Sequence, residues 1–186
     1  MQAWAQTLFY EKGWSPQEME FTFEGPSVGE LYLLQTRDMG IREHKHVLTF
    51  DHDPVENNTY LGHGIGVSAG AMTGRLVFGL GEIDFWRKKE PKTALILARS
   101  DTVPDDIKEI HAADGLLTAR GGVTSHAAVV AHRLGKTCVV GCADMTCDEQ
   151  QGIVQFGSHR LHTGDHISID GREGSIYQGL INIKKT

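Results

Sequence analysis

The chain has 186 residues, of which 40% are hydrophobic and 23% charged, and its formal net charge is −6. This length fits one domain, or one domain with a piece of another, and is enough to bury a core. The acidic balance argues against nucleic-acid binding, which depends on a basic surface. No apolar run approaches the roughly 18 residues of a membrane-spanning helix, and charged residues interrupt any signal-peptide pattern. We therefore expect a cytoplasmic protein.

The N-terminal part is predicted to form a β-hairpin followed by a connector. Residues 18–24 alternate with period two, and residues 30–37 form a second strand-like run after glycine and proline turn signals. Residues 38–60 are polar and contain a cluster of Asp, Asn and Pro. Such a composition is typical of a linker or an irregular connection.

The remainder of the chain is predicted to be an α/β body, because strands alternate with helices at first and dominate later. A strand, a small-residue turn and a second strand are predicted over residues 64–78. The other predicted elements are helices at 81–88, 100–113 and 124–134, and strands at 93–98, 115–119, 138–142, 152–156, 165–170 and 174–179.

The three cysteines are predicted to be reduced structural thiols. Cys138, Cys142 and Cys147 are odd in number and form no C-x-x-C pair. This pattern favours neither a disulfide framework nor a metal site.

The helix at 124–134 has marked ends in the sequence. Thr124 or Ser125 can cap its start through a side-chain oxygen, and Gly135 supplies a stop, with Lys136 beside the negative helix end. We expect an apolar stripe with spacing i, i+3, i+4 and i+7 to face the core. That stripe consists of Ala127, Val130, Ala131 and Leu134.

His126 falls in the first turn of this helix, where backbone N–H groups lack intrahelical acceptors. The positive helix end disfavours imidazolium, so we expect a neutral ring with a nucleophilic nitrogen. The same amides, with the Thr124 and Ser125 hydroxyls, suit the oxygens of a phosphoryl group, and Gly121 and Gly122 let the backbone approach it. His126 is therefore a candidate for covalent phosphoryl transfer. These residues fit equally well a partly buried histidine behind an ordinary capped helix.

Other histidines give weaker signals. His44, His46 and His52 lie near carboxylates in the polar connector, but their spacing matches no metal-site template. A solvated connector explains them equally well, so no metal site is predicted.

The segment LLTARGGVTSHAAVVA, residues 116–131, resembles the phosphohistidine signature of the pyruvate phosphate dikinase family of PEP-utilising enzymes. It resembles more loosely the signatures of phosphoenolpyruvate synthase and of enzyme I of the sugar phosphotransferase system. Residues 64–78 and 98–115 are similar to neighbouring segments of the same family. The chain departs from the family at His132, where an arginine is usual, and Arg133 follows it.

The resemblance implies an α/β chain with three parts. Residues 62–186 would be a swivelling β/β/α phosphohistidine domain, residues 38–61 a linker, and residues 1–37 the tail of an ATP-grasp domain. His126 takes the place of the phosphorylated histidine. Thr124 stands where the plant dikinases are regulated by threonine phosphorylation.

The front end resembles the same family. QEMEFTFE and LYLLQTR look like the closing hairpin of its ATP-grasp domain. By that resemblance, Glu18, Glu20, Gln35 and Arg37 are nucleotide-side positions. An ordinary surface hairpin remains the alternative.

In function, the resemblance implies a phosphotransferase that is part of a larger enzyme. ATP would phosphorylate His126 through a pyrophosphoryl intermediate with phosphate as co-substrate, and pyruvate would accept the phosphoryl group to give phosphoenolpyruvate. Mg²⁺ would serve the full enzyme without being held by this chain alone. The implied partners are an ATP-grasp domain and a pyruvate/PEP-binding barrel, and a homodimer of the full enzyme is left open.

The alternatives are the corresponding domain of the synthase or of enzyme I, and a non-catalytic interaction module with the same fold. The intact TSHAA motif argues against the last of these, because such a module has no physical need for His126.

Overall fold

The structure is a computed structural model that describes residues 17–25, 31–38, 48–51, 59–68, 70–103 and 106–185. The chain divides into two compact units, Met1–Lys45 and His46–Thr186. The first unit contains strands β1 (Gln17–Phe23) and β2 (Leu31–Asp38), which pair antiparallel. Their register shifts between Glu20 and Phe21, as at a β-bulge.

The second unit contains three helices and thirteen strands among its described residues. The helices are α1 (Leu80–Lys89), α2 (Ile107–Ala112) and α3 (His126–Arg133). The strands are β3 (Leu48–Phe50), β4 (Tyr60–His63), β5 (Ile65–Gly66), β6 (Ala71–Val77), β7 (Leu95–Arg99), β8 (Gly115–Thr118), β9 (Thr137–Val140), β10 (Met145–Asp148), β11 (Ile153–Phe156), β12 (His159–His162), β13 (His166–Asp170), β14 (Ser175–Gln178) and β15 (Ile183–Lys185).

Eight of these strands form one mixed sheet in the order β4-β14-β13-β6-β7-β8-β9-β5. Its centre, from β6 to β9, is parallel, and the three helices are the crossover connections between these strands. Every residue of β7, β8 and β9 is buried, as expected for parallel strands that are covered on both faces.

The two faces of the sheet have separate cores. On one face, Ile83, Ile110, Ala128 and Ala131 from the helices pack with the sheet. On the other face, apolar residues of the three-stranded sheet β10-β11-β12, such as Phe156, complete the core. The unit therefore has two sheet layers and one helical layer, and the predicted α/β class is confirmed.

Several short strands were not predicted from the sequence. Leu48–Phe50 lies inside the range predicted as a connector, and it pairs antiparallel with Ile183–Lys185. The strands Tyr60–His63, Met145–Asp148 and His159–His162 were also missed. With three or four residues each, they are too short to show a period, and distant pairing decides their conformation.

The predicted apolar stripe of α3 needs correction. Ala128 and Ala131 are fully buried, whereas Leu134 is 41% exposed. The helix ends at Arg133, so Leu134 leaves the helical surface that faces the sheet. Val130 is half-buried.

No helix in the described part of the chain is both long and apolar enough to cross a lipid bilayer.

Candidate functional site

The candidate site lies where strands β8 and β9 reach the same edge of the sheet. The two strands are parallel and in register from Gly115 opposite Thr137 to Leu117 opposite Val139. The loop between Thr118 and the start of α3 therefore begins at the carboxyl end of a central parallel strand. This edge is the usual place for ligand sites in parallel α/β sheets.

Backbone hydrogen bonds extend the sheet into this loop. The amide of Ala119 donates to the carbonyl of Arg99 at 3.1 Å, and the amide of Arg120 donates to the carbonyl of Ser100 at 2.9 Å. On the other side, the amide of Cys142 donates to the carbonyl of Thr118 at 3.0 Å. The first residues of the loop are thus fixed to both neighbouring strands.

The glycine pair that precedes the histidine has two different roles. Gly121 has φ of +103°, a conformation that residues with a β-carbon rarely adopt. Gly122 is not strained in this way, and no atom lies within 4 Å of the place where its β-carbon would stand. Its carbonyl accepts a hydrogen bond from the Ser125 amide at 2.9 Å, which closes the turn before α3.

Ser125 is the N-cap of α3. Its backbone is extended, with φ −61° and ψ 150°, and its hydroxyl accepts a hydrogen bond from the Ala128 amide at 3.3 Å. Of the two hydroxyl residues predicted as caps, the structure therefore selects Ser125. Thr124 is exposed in the turn before it.

His126 is the first residue of α3, and its side chain is exposed. It follows the cap directly, so it stands in the turn whose amides lack intrahelical acceptors. An exposed ring is open to a reacting group from outside the unit, which a buried structural histidine would not be. The loop and the cap bring His126, Thr124, Ser125 and Gly121 into one short turn.

The far end of α3 is held by a Schellman motif, as the predicted glycine stop requires. Gly135 has φ of +67°, its amide donates to the carbonyl of His132 at 3.1 Å, and the Lys136 amide donates to the carbonyl of Ala131 at 2.9 Å. The Lys136 ammonium donates to the His111 carbonyl at 2.8 Å, and burial lowers the pKa of this lysine. Both ends of the helix are therefore fixed.

A shallow groove of about 340 Å³ runs beside α3. His132 and Arg133, both exposed in the last turn of the helix, contribute its polar side chains. His132 lies six residues along the helix from His126. The groove is lined by Gly66, Val67, Val123, Ala128, Val129, His132 and Arg133.

A buried arginine supports the same sheet edge from β7. Arg99 is 6% exposed, and its Nε lies 3.3 Å from the Asp106 carboxylate. Its Nη1 donates to the carbonyl of Phe78 and lies 3.5 Å from the Glu149 carboxylate. Glu149 also accepts hydrogen bonds from the amide and the hydroxyl of Ser100. These contacts hold three connecting segments, those that contain Phe78, Asp106 and Glu149, against the end of β7.

The cysteines match the structural interpretation. All three are free; Cys138 and Cys142 are buried, and Cys147 is half-buried. Burial raises the pKa of Cys138 to about 12, that of Cys142 to about 11 and that of Cys147 to about 12. Such thiols stay protonated and unreactive near neutral pH.

Within the described residues, no three His, Cys, Asp or Glu side chains are grouped closely enough to hold a metal ion. His44, His46 and His52 lie outside the described residues.

The four residues of the first unit for which the sequence predicts a nucleotide-side role lie opposite each other in pairs in its hairpin. Glu18 is paired with Arg37, and Glu20 is paired with Gln35. The sequence places each pair on separate strands, and only the register brings them opposite each other. The exposed Glu20 directly precedes the bulge.

Sequence reasoning did not single out two residues beneath the histidine loop, Thr118 and Gly141. Thr118 is 1% exposed, and its hydroxyl donates to the carbonyl of Arg120 at 2.5 Å. Gly141 has φ of +64°, and a β-carbon added there would stand 2.5 Å from the carbonyl oxygen of Gly121. The sequence does show a threonine at the end of one predicted strand and a glycine after an apolar run. Their shared contact with the histidine loop could not be predicted, because only the fold brings the two residues together.

One family model matches the region around His126. Residues 91–174 match the family model of the "PEP-utilising enzyme, mobile domain". This range contains β7 to β13 with α2 and α3, and so the whole histidine loop.

The chain is also similar to pyruvate, phosphate dikinases. It is 36% identical to the enzyme of Clostridium symbiosum over 200 aligned residues, which cover 91% of this chain and 22% of the relative. It is 41% identical to the chloroplastic enzyme 1 of Arabidopsis thaliana, covering 69% of this chain and 13% of the relative. With the Rickettsia typhi enzyme the identity is 44%, covering 65% and 13%. The chain thus spans about a fifth or less of the length of these relatives.

Proposed function

We propose that this chain is a phosphoryl carrier whose acceptor is His126, because residues 91–174 match the family model of the PEP-utilising enzyme mobile domain. The observation that carries the proposal is the exposed position of His126 as the first residue of a helix capped by Ser125, inside the matched range. An acceptor must be reachable by donors outside its own domain, and its adduct must be stabilised where it forms. The start of α3 meets both needs.

The chain's own residues provide the chemistry of an acceptor. The lone pair of an imidazole nitrogen of His126 attacks phosphorus. The phosphoryl oxygens then meet the first-turn amides and the positive end of the helix dipole. The hydroxyls of Thr124 and Ser125 can donate to the same oxygens, and the lack of side chains at Gly121 and Gly122 keeps the approach open.

In the parent enzyme, the dikinase relatives favour a specific reaction. ATP phosphorylates His126 through a pyrophosphoryl intermediate with phosphate as co-substrate, and pyruvate takes the phosphoryl group to form phosphoenolpyruvate, reversibly. The partners are the ATP-grasp domain and the pyruvate/PEP-binding barrel. The domain of a phosphoenolpyruvate synthase or of enzyme I is the alternative within phosphotransfer, and a non-catalytic module is the alternative outside it.

Mg²⁺ would neutralise charge on the nucleotide in the parent enzyme. In this proposal the chain alone does not hold the ion, and other parts of the enzyme contribute to its binding. A cytoplasmic location and a homodimer of the full enzyme remain sequence predictions.

The first unit is proposed to be the tail of the ATP-grasp domain. The pairing of Glu18 with Arg37 and of Glu20 with Gln35 supports this assignment, because it places the four nucleotide-side positions on two rungs of the hairpin that are separated by a single residue pair. The limits 1–37, 38–61 and 62–186 for the tail, the linker and the phosphohistidine domain belong to the same proposal. Regulation by phosphorylation at Thr124, which is exposed beside the acceptor, belongs to it as well.

A small donor tests acceptance without any partner domain. Phosphoramidate transfers its phosphoryl group when the imidazole nitrogen forms a new P–N bond and the P–N bond of the donor breaks. Ammonia leaves with the bonding electron pair and takes up the proton that the ring releases. We expect wild-type chain to gain one phosphoryl group that is labile in acid and stable in alkali.

The control for this experiment is another exposed histidine of the same helix. His126→Ala should abolish the adduct, whereas His132→Ala should retain it. An adduct that persists in His126→Ala would remove the assignment.

A second experiment separates the phosphotransfer alternatives. Phosphorylated chain is mixed with pyruvate and the Clostridium symbiosum relative whose own signature histidine has been replaced by alanine. Formation of phosphoenolpyruvate supports the dikinase, and a requirement for phosphate in ATP-dependent labelling separates it from the synthase. Transfer to a histidine-containing carrier protein instead would favour enzyme I.

A further inference from the structure

Thr118 is a buried polar residue directly beneath the histidine loop. It is the last residue of β8 and is 1% exposed. Its hydroxyl donates to the carbonyl of Arg120 at 2.5 Å and accepts a hydrogen bond from the Gly141 amide at 3.4 Å. One side chain thus links the start of the histidine loop to the segment that leaves β9.

The same hydroxyl lies close to the turn that starts α3. A β-carbon on Gly121 would stand 3.9 Å from Thr118 Oγ1 and 3.5 Å from Ser125 Oγ. The α-carbon of Gly121 therefore faces both the buried hydroxyl and the N-cap hydroxyl. Only the four residues 121–124 separate Arg120, whose carbonyl accepts from Thr118, from the cap residue Ser125. His126 directly follows this cap.

Gly141 closes the loop from the other side. Its own φ is +64°, and its α-carbon packs against the carbonyl of Gly121. The loop is thus held between the Thr118 hydroxyl and the backbone of Gly141. Both contacts act on residues 120 and 121 and leave the ring of His126 exposed.

We propose that Thr118 is a positioning residue for phosphoryl transfer at His126, because its hydroxyl sets the path of residues 119–122 and so the placement of the Ser125 cap. This inference rests on the proposed function. Thr118 does not touch the reacting atoms and acts through the loop. Valine has the same shape but can make neither hydrogen bond, so the Arg120 carbonyl and the Gly141 amide would both lose a buried partner. A small displacement of a reacting group is enough to slow transfer strongly.

The test compares the rates at which wild-type and variant chains are phosphorylated by phosphoramidate at a series of donor concentrations. We expect Thr118→Val to lower the maximal rate about tenfold with little change in the donor concentration that gives half of it. Thr118→Ser keeps the hydroxyl and should stay within about twofold of wild type.

Thr137→Val is the matched control. Thr137 is 5% exposed and is the first residue of the neighbouring strand β9. Because β8 and β9 are parallel, it lies at the end of these strands that is opposite to the histidine loop. The Thr137→Val variant should be labelled at the wild-type rate, even if this substitution lowers the melting temperature as much as Thr118→Val does. Should the valine variant at 118 lack the wild-type circular dichroism spectrum, Thr118→Ala replaces it.

The outcomes separate this inference from the function on which it rests. A wild-type chain that takes no label overturns the proposed function and the inference with it. A labelled wild type with an equally fast Thr118→Val overturns the inference alone, and so does a Thr137→Val variant that is slowed as much as Thr118→Val. Slow Thr118→Val with recovery in Thr118→Ser supports it.

Discussion

Gly141 lies directly against the carbonyl group of Gly121, so that a β-carbon at position 141 would stand 2.5 Å from the carbonyl oxygen. The two residues are 20 positions apart in the chain, and they meet because β8 and β9 are parallel neighbours that end at one edge of the sheet. The histidine loop therefore depends on a glycine outside its own motif.

Gly141→Ala should weaken both stability and labelling. The added methyl group must displace Gly121, and alanine is strained at φ of +64°. We expect the free energy of unfolding to fall by about 1–3 kcal/mol, measured by urea denaturation, and the rate of phosphoramidate labelling to fall with it. Gly81→Ala in α1 is the control, since no atom lies within 4 Å of its new β-carbon. Equal effects of the two substitutions would contradict the role given to Gly141.

Ser125→Ala should destabilise the start of α3. The substitution removes the oxygen that accepts from the Ala128 amide, and loss of such a cap costs about 1 kcal/mol. Urea denaturation should show this loss, whereas Ser125→Thr should recover most of it. Ser158→Ala, in an exposed turn, should change little. If Ser125→Ala is as stable as wild type, the cap does not hold the helix start.

Arg99→Met should destabilise the unit strongly. It leaves the carboxylates of Asp106 and Glu149 without their buried cation, at a cost of roughly 3 kcal/mol. The exposed Arg160, whose side chain contacts Gln155 at 3.4 Å, provides the control substitution Arg160→Met. Thermal unfolding should separate the two variants clearly, and similar melting temperatures would count against a structural role for the Arg99 ion pairs.

His166 should make the stability of the unit depend on pH. Burial lowers the pKa of His166 below 6.5, and Arg75 lowers it further, while Glu90 and Asp165 act in the opposite direction. The unfolded chain then binds this proton more readily than the folded chain. The contribution of neutral His166 to the free energy of unfolding is therefore fully present above about pH 6.5 and is lost as the pH falls through the lowered pKa.

Urea denaturation between about pH 7 and pH 5 measures this effect. The loss of unfolding free energy on acidification should be smaller in His166→Asn than in wild type. Parallel pH profiles of the two proteins would show that His166 does not contribute.

The sequence was informative wherever a local pattern decides the structure. The Gly135 stop of α3 and the apolar strands from Leu95 and Gly115 were predicted because each depends on neighbouring residues. The choice of Ser125 over Thr124 as cap could not be made, since both offer the same group, and the backbone of the turn decides between them.

Features that depend on distant pairing were not accessible in this way. The pairing of Leu48–Phe50 with Ile183–Lys185 joins residues more than a hundred positions apart. The contacts of Thr118 with Arg120 and Gly141 likewise require the parallel order of β8 and β9. The acceptor could be proposed from its motif, but the residues that support its loop could not.

The central claim is that His126, among the ten histidines of the chain, carries the phosphoryl group. Tandem mass spectrometry of the phosphoramidate-treated wild-type chain, digested and fragmented without exposure to acid, assigns the group to a residue. The account predicts that the phosphoryl group is on His126. Its location on His132, His111 or any other residue, with His126 unmodified, would contradict the account.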